Sequence, residues 1–323
     1  MSLLESVKYL DKKFLIVGGT GFIGANMVAE LVKQGSKVHV FHRKESKMHR
    51  LQHVKHSAIF SQVDFANQEE IKGLIGEIDP HYVVNFAQPS YFALTDTHSF
   101  AHQMGETTSL LSNLLNALNE VGSSLEAFIQ GCSSTIYQWT MADYLLSETT
   151  PKLPSTYRGL IKLNERNICL YYAKKYGLPI RIARIFRAYG PWDHDYKLVV
   201  KVLKNIQAKE VIQIGQDTFK RDYIYVEDLI EGILKLTDAN LEAGLEVNFG
   251  SGLQYSASEI VTFIEKIIGE EVEKSYTYLP NPYDKGNYIA DITLAKTLLG
   301  WKPQHAIIQG LTKTIAWYKD TQK

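Results

Sequence analysis

FLIVGGTGFIG, residues 14–24, is the stretch on which the fold turns. Four apolar residues run unbroken into a pair of glycines, the pattern of a strand buried on both faces of a parallel sheet. Glycine recurs at Gly18, Gly21 and Gly24. A turn so tight needs positive φ and no Cβ where the backbone is closely approached. The residues that follow, FIGANMVAELVKQG (22–35), carry the apolar spacing of an amphipathic helix closed by Gly35. Strand, glycine turn and helix in that order gather open N–H groups and the positive end of a helix dipole, a setting that suits a pyrophosphate.

Outward from this stretch the chain keeps the same rhythm. KVHVFHR (37–43), SAIFSQVDF (57–65), HYVVNFA (81–87), AFIQGCSS (127–134) and PIRIARIF (179–186) read as further strands. NQEEIKGLIGEI (67–78), TTSLLSNLLNALNEVG (107–122) and YRGLIKLNERNICLYYAKKYG (157–177) read as the helices between them. Alternating strands and helices predict right-handed crossovers and an α/β, doubly wound parallel sheet. After Tyr189 the rhythm breaks, and a smaller C-terminal lobe is expected. The expected division gives residues 11–186 to the sheet domain, with segments near 222–253 returning to it. Residues 187–221 and 254–323 go to the lobe. Within it, Ser256 and Glu259 have the spacing of a helix capping box.

The totals narrow the function classes. The chain has 323 residues, with 35 Lys+Arg against 35 Asp+Glu. Such a balance gives no footing for nucleic acid or an anionic membrane surface. Two cysteines, Cys132 and Cys169, make neither a disulfide framework nor a metal-ligand spacing, so no metal is expected. Without a signal-like start or an apolar run long enough for a bilayer, a cytoplasmic protein is expected.

The end of the second strand bears on which dinucleotide the glycine turn serves. An acidic residue there would bond ribose hydroxyls, as in NAD sites. The positions hold His42, Arg43 and Lys44 instead. Cations without a carboxylate suit a 2′-phosphate, which favours NADP(H) over NAD(H). The alternative is that the basic residues simply face solvent and NAD binds without a carboxylate. Asp64, at the end of the third strand, is placed to bond the adenine edge.

Several segments taken in order, GGTGFIG, VDF, VVNFA, CSSTIY, YRGLIKLNE, RIFRAYGP, KRDYIYVEDL and DITLAKTLLGWKP, give the chain a resemblance to the extended short-chain dehydrogenase/reductases. The likeness is to their nucleotide-sugar epimerase, dehydratase and reductase branch and runs over nearly the whole chain. It implies a Rossmann domain with a substrate-binding lobe. The cofactor-binding set it implies adds Thr20, Phe22, Ile23, Phe65, Ala87 and Tyr157 to the residues above. It also implies a homodimer, paired through the two long helices, which carry Leu110, Leu114, Leu118, Ile168, Tyr171 and Tyr172; the alternative is that these residues only pack on the sheet.

The implied chemistry is hydride transfer at a sugar carbon, often C4, with Tyr157 as base and Ser133 bonding the same oxygen. A phenol titrates near 10 and needs help to work at neutrality. In the family that help comes from a lysine four residues after the tyrosine, and here that position is Ile161. Lys162 is one residue further, rotated by about 100° around the helix. Either the lysine is absent, or Lys162 reaches the site through a first turn loosened at Gly159. Arg158 offers another cation.

Dehydratases of the branch carry Asp–Glu after the hydroxyl residue. Ser134 and Thr135 stand there, which leaves 4-epimerisation or 4-ketone reduction. Arg221 matches a pyrophosphate-clamping arginine, with a salt bridge to Asp222 or a nearby carboxylate as its ordinary alternative. Arg187 replaces a usual asparagine, and Ser134 and Arg187 join Arg221 as substrate-binding candidates. A further family arginine is not found in LPNPYDKGNY, 279–288. The competing expectation is a dinucleotide-binding regulatory or sensor protein with weak catalysis.

Overall fold

The computed structural model describes residues 9–88, 97–138, 143–214, 219–238, 240–276 and 287–321. The chain divides into two compact units. The first comprises Met1–Ile136, Tyr157–Arg184 and Ile233–Glu246; the second comprises Tyr137–Thr156, Ile185–Gly232 and Val247–Lys323. The segment 222–253, expected to return to the sheet domain, is thus shared between the two.

The central sheet is built from β1 (Lys13–Val17), β2 (Lys37–His42), β3 (Ile59–Gln62), β4 (Tyr82–Asn85) and β5 (Ala127–Ser133). After the short β6 (Leu145–Leu146) of the second unit come β7 (Ile180–Ile185), β8 (Arg187–Tyr189), β9 (Ile212–Ile214), β10 (Arg221–Tyr225) and β11 (Glu246–Phe249). The sheet order is β11-β7-β5-β4-β1-β2-β3, and the β1–β2, β1–β4, β2–β3 and β4–β5 pairs run parallel. The order reverses between β1 and β4, the switch point at which doubly wound sheets bind their ligands. Phe14 to Val17 and all of β4 are buried, as strands covered by helices on both faces must be.

Helices α1 (Phe22–Lys33), α2 (Gln68–Ile78), α3 (Thr97–Val121) and α4 (Tyr157–Tyr176) flank this sheet. α2 is capped by Asn67, whose side chain accepts from the Glu70 N–H. α3 begins ten residues before its expected start. Its first turns, THSFAHQMGE, are largely polar and carry no apolar stripe. Leu114 and Leu118 of α3 are buried in the core of this unit, so they are spent on packing. Leu110, Ile168 and Tyr172 are partly exposed and Tyr171 is exposed. Among the described residues no helix is long and apolar enough to cross a membrane.

In the second unit, β8, β10 and β12 (Gln254–Tyr255) form a three-stranded sheet. The pairs β9 with β13 (Lys274–Tyr276) and β6 with β14 (Ile289–Ala290) are separate. The capping box at Ser256 is formed and opens a helix, Ala257–Ile268. Trp301 anchors the core: its indole N–H donates to the Asp228 carbonyl, and its ring meets Phe249 edge-on.

Candidate active site

Gly18 follows β1 with φ +79°. A Cβ there would lie 2.6 Å from the Ala87 amide nitrogen and 2.7 Å from the Phe86 carbonyl carbon. Only glycine lets the turn pass the end of β4. A Cβ at Gly24 would lie 2.4 Å from the Gly18 carbonyl oxygen, so glycine also lets α1 start directly against the turn.

Gly21 is different: among the described residues a Cβ there would meet only the Gly18 oxygen, at 3.3 Å. Among the described residues nothing else demands glycine at this N-cap, so the helix start is open to close approach. No side chain caps α1, and its first turn carries no acid. The cradle therefore fits a dinucleotide's phosphates. Phe22 is buried and Ile23 half-buried at the start of α1.

At the end of β2, Arg43 and Lys44 are exposed, and His42 Nδ1 lies 3.0 Å from the Arg43 carbonyl oxygen. Asp64 is exposed and accepts from the Ala66 N–H. The Phe65 carbonyl accepts from the Asn113 amide, and its ring packs on the core.

Ser133 ends β5, at the same edge of the sheet as Ala87. Its Oγ accepts from both the N–H and the hydroxyl of Thr135, at 3.2 and 3.0 Å. With two donors directed at it, Ser133 has its own proton to give to a third oxygen. The supporting role of Thr135 was missed in the sequence, although the run CSST, 132–135, is its signal. Ser134 starts a single tight helical turn and is half-buried.

Tyr157 opens α4, and its ring stacks on Phe100 of α3 with centroids 4.7 Å apart. Phe100 was unpredicted, because the polar start of α3 hid the helix that carries it. Helix α4 lies against β5, with the Cys132 thiol 3.8 Å from the Lys162 carbonyl oxygen.

The helix is regular from Tyr157 onward, without a loosened first turn at Gly159. Ile161 and Lys162 are both buried. The Lys162 ammonium donates to the Glu165 carboxylate at 2.8 Å and to the Gly131 carbonyl at 3.1 Å. Burial pushes the Glu165 carboxyl upward, against the pull of Lys162. Arg158 donates to the Gln88 side chain at 2.7 Å.

In the second unit, Arg187 of β8 sits opposite Tyr223 of β10. Arg221, two residues before Tyr223, shares its face of the sheet. Each guanidinium lies over a tyrosine ring, Arg187 over Tyr223 at 5.4 Å and Arg221 over Tyr288 at 5.3 Å. Between these positions Asp222 points the other way and is fully buried. It accepts from the Ser251 N–H and hydroxyl and from the N–H groups of Gly252 and Ala290. Burial pushes it up to about 6 despite those donors. The segment 279–286 lies outside the described residues.

A family model described as GDP-mannose 4,6 dehydratase matches residues 15–314. The UDP-glucuronate 4-epimerase of Thermodesulfobacterium geofontis is 28% identical, over 95% of this chain and 96% of that one. UDP-glucuronic acid decarboxylase 1 of Xenopus tropicalis is 26% identical over 97% of this chain and 74% of its own. Among solved structures, the UDP-glucuronic acid 4-epimerase of Bacillus cereus, in complex with UDP-glucuronic acid and NAD, superposes with a TM-score of 0.86 at 25% identity. That match covers 96% of this chain and 99% of the other.

Proposed function

We propose, from the premise that the chain belongs to the GDP-mannose 4,6-dehydratase family of extended short-chain dehydrogenase/reductases, that it is a nicotinamide-dependent enzyme acting at C4 of a nucleotide sugar, as a 4-epimerase or 4-ketoreductase. The observation that carries this reading is the pairing of β5 and α4. Ser133 ends the strand, Tyr157 opens the helix, and the Cys132 thiol touches the Lys162 carbonyl where the two elements pack. Both lie in the unit that holds the glycine turn.

Gly18, Gly21 and Gly24 with the start of α1 would hold the dinucleotide's phosphates, and Arg43 and Lys44 a 2′-phosphate. A bound nicotinamide supplies the acceptor and donor of the hydride. Tyr157 takes the proton of the C4 hydroxyl as the C4–H bond breaks, and returns it when the ketone is reduced. Ser133, fixed by Thr135, donates to the same oxygen and holds it in place as its charge changes. Ser134 and Thr135 offer no carboxyl to eliminate water, which counts against 4,6-dehydration. Arg221 and Arg187 supply two guanidiniums on one face of the second unit, suited to a substrate diphosphate. A homodimer is part of this reading, through the exposed parts of α3 and α4.

Incubating the protein with NAD or NADP and UDP-glucuronate, UDP-glucose, dTDP-glucose or GDP-mannose tests it, with products read by NMR. An epimerised sugar, or a reduced one when a 4-keto sugar is supplied, is the expected result. With UDP-glucuronate, a C4 ketone lies β to the C6 carboxylate and invites loss of CO2; a pentose product would make the chain a decarboxylase. No turnover with any of the four sugars would favour the second reading, a dinucleotide-binding protein with weak catalysis. The observation behind that reading is that Ile161 holds the lysine position while Lys162 is engaged in the interior.

A further inference from the structure

A line of buried polar side chains crosses the first unit, and the chemistry above uses none of it. Lys162 donates to Glu165 at 2.8 Å, and the same Glu165 oxygen accepts from the Gln130 amide at 3.0 Å. Gln130 in turn accepts from the Asn85 amide at 2.9 Å, and Asn85 accepts from the Ala87 N–H at 3.0 Å. Asn85 and Gln130 are register partners on β4 and β5. All four residues are at most 4% exposed.

The line begins and ends at the candidate site. At one end, Ala87 is the backbone that Gly18 packs against. At the other, Lys162 also donates to Gly131, two residues before Ser133, and it lies five residues after Tyr157 on the same helix. An apolar helix face packs on a sheet in several neighbouring rotations at similar energy. A buried ion pair that must also satisfy one carbonyl and one amide has far fewer solutions.

Resting on the assignment of Tyr157 and Ser133 above, we propose that Lys162 is a positioning residue: through Glu165 and the Gly131 carbonyl it sets the rotation of α4 on β5, and so holds the Tyr157 phenol relative to Ser133, without reaching the reacting atoms itself. This differs from the role the usual lysine plays, because the Lys162 ammonium is spent on Glu165 and Gly131.

The test uses the full chain as Lys162→Met, and as Lys162→Met/Glu165→Leu should the single variant fail to fold. Tyrosines carry a 13C label at Cζ, and Tyr157→Phe assigns the resonance. In either variant the Tyr157 resonance is expected to broaden or split, while its titration midpoint stays where it is in the wild type. A midpoint raised by about one pH unit or more would make Lys162 the phenol's cation and overturn the proposal. So would a resonance left sharp and in place. These readouts need no turnover, so they decide the proposal even if no sugar nucleotide reacts, an outcome that would count against the function alone. With UDP-glucuronate turnover in hand, kcat should fall by about 10-fold or more, with KM and the pH profile little changed. An unchanged kcat would also overturn it.

Discussion

Lys162 and Glu165 lie one turn apart on α4, 2.8 Å from ammonium to carboxylate, and both are almost fully buried. Removing one partner leaves the other charge without compensation, which typically costs about 3–5 kcal/mol. Glu165→Leu should therefore lower stability by that order. Lys162→Met/Glu165→Leu should recover most of the loss, because no buried charge remains. Denaturant unfolding of the two variants checks both statements, and equal losses in single and double variant would contradict them.

Two glycines of one turn should respond in opposite ways. Gly18→Ala meets a positive φ, worth about 1–2 kcal/mol for a residue with a Cβ, and a collision with the backbone at Phe86 and Ala87. It should lower stability and dinucleotide binding together. Gly21→Ala has room among the described residues, with only the Gly18 oxygen at 3.3 Å. It should leave the melting temperature nearly unchanged and still weaken dinucleotide binding. A Gly21→Ala protein that binds the dinucleotide at full strength would show that the phosphates do not approach there.

Arg43 and Lys44 are exposed at the end of β2. If they meet a 2′-phosphate, NADP(H) should bind more tightly than NAD(H), and Arg43→Ala/Lys44→Ala should weaken NADP(H) alone. A charge-assisted bond of about 1.5–3 kcal/mol is at stake for each contact. Fluorescence titration of both reduced cofactors gives the answer. Equal affinities, or a variant that weakens both alike, would leave these cations in solvent.

The glycine turn, the alternation of strands and helices, and α4 were legible because each rests on a local rule. A glycine triplet between strand and helix, and unbroken apolar runs under helices on both faces, leave few alternatives. The start of α3 was not legible, since its polar first turns carry no periodic stripe, and Phe100 went unseen with it. The destination of Lys162 was hidden for another reason. A one-residue offset from Tyr157 gives the side chain's direction but not its partner, and Gln130 and Glu165 come together only when α4 docks on β5. The resemblance offered Leu114 and Leu118 for subunit pairing or for packing on the sheet, and the core takes both, because an apolar stripe does not say which surface covers it.

Asp222 ties β10 to the 251–252 loop and to β14 through four donors. Asp222→Asn replaces one acceptor oxygen by an N–H2 facing donors, so it should destabilise the chain by about 1–3 kcal/mol or more. The pH dependence has a definite sign. The folded value of about 6 lies above the ordinary value near 4, so the native state binds this proton more tightly. Its contribution is greatest below about pH 4 and is lost as pH rises through about 6. The stability gap between wild type and variant should therefore narrow across that window, as unfolding at a series of pH values would reveal. A gap that widens would mean that the donors outweigh burial.

Tyr157 is the proton acceptor in the proposed reaction, and Tyr157→Phe separates its chemistry from its packing. The ring and its stack on Phe100 remain, so fold and dinucleotide binding should survive while turnover falls by about 100-fold or more. Ile161→Lys is the sharper companion. Ile161 is 1% exposed, so a lysine there bears a desolvation cost and should lower the melting temperature. If it reaches the phenol, its charge favours phenolate, and the acid limb of kcat/KM should move to lower pH. Lys162→Met should leave that limb in place, since its ammonium is engaged with Glu165 and Gly131. The pH profiles of the three variants against one nucleotide sugar therefore read three different roles. Turnover that survives Tyr157→Phe would remove Tyr157 from the chemistry. A limb that moves with Lys162→Met but not with Ile161→Lys would mean that the cation comes from Lys162 after all.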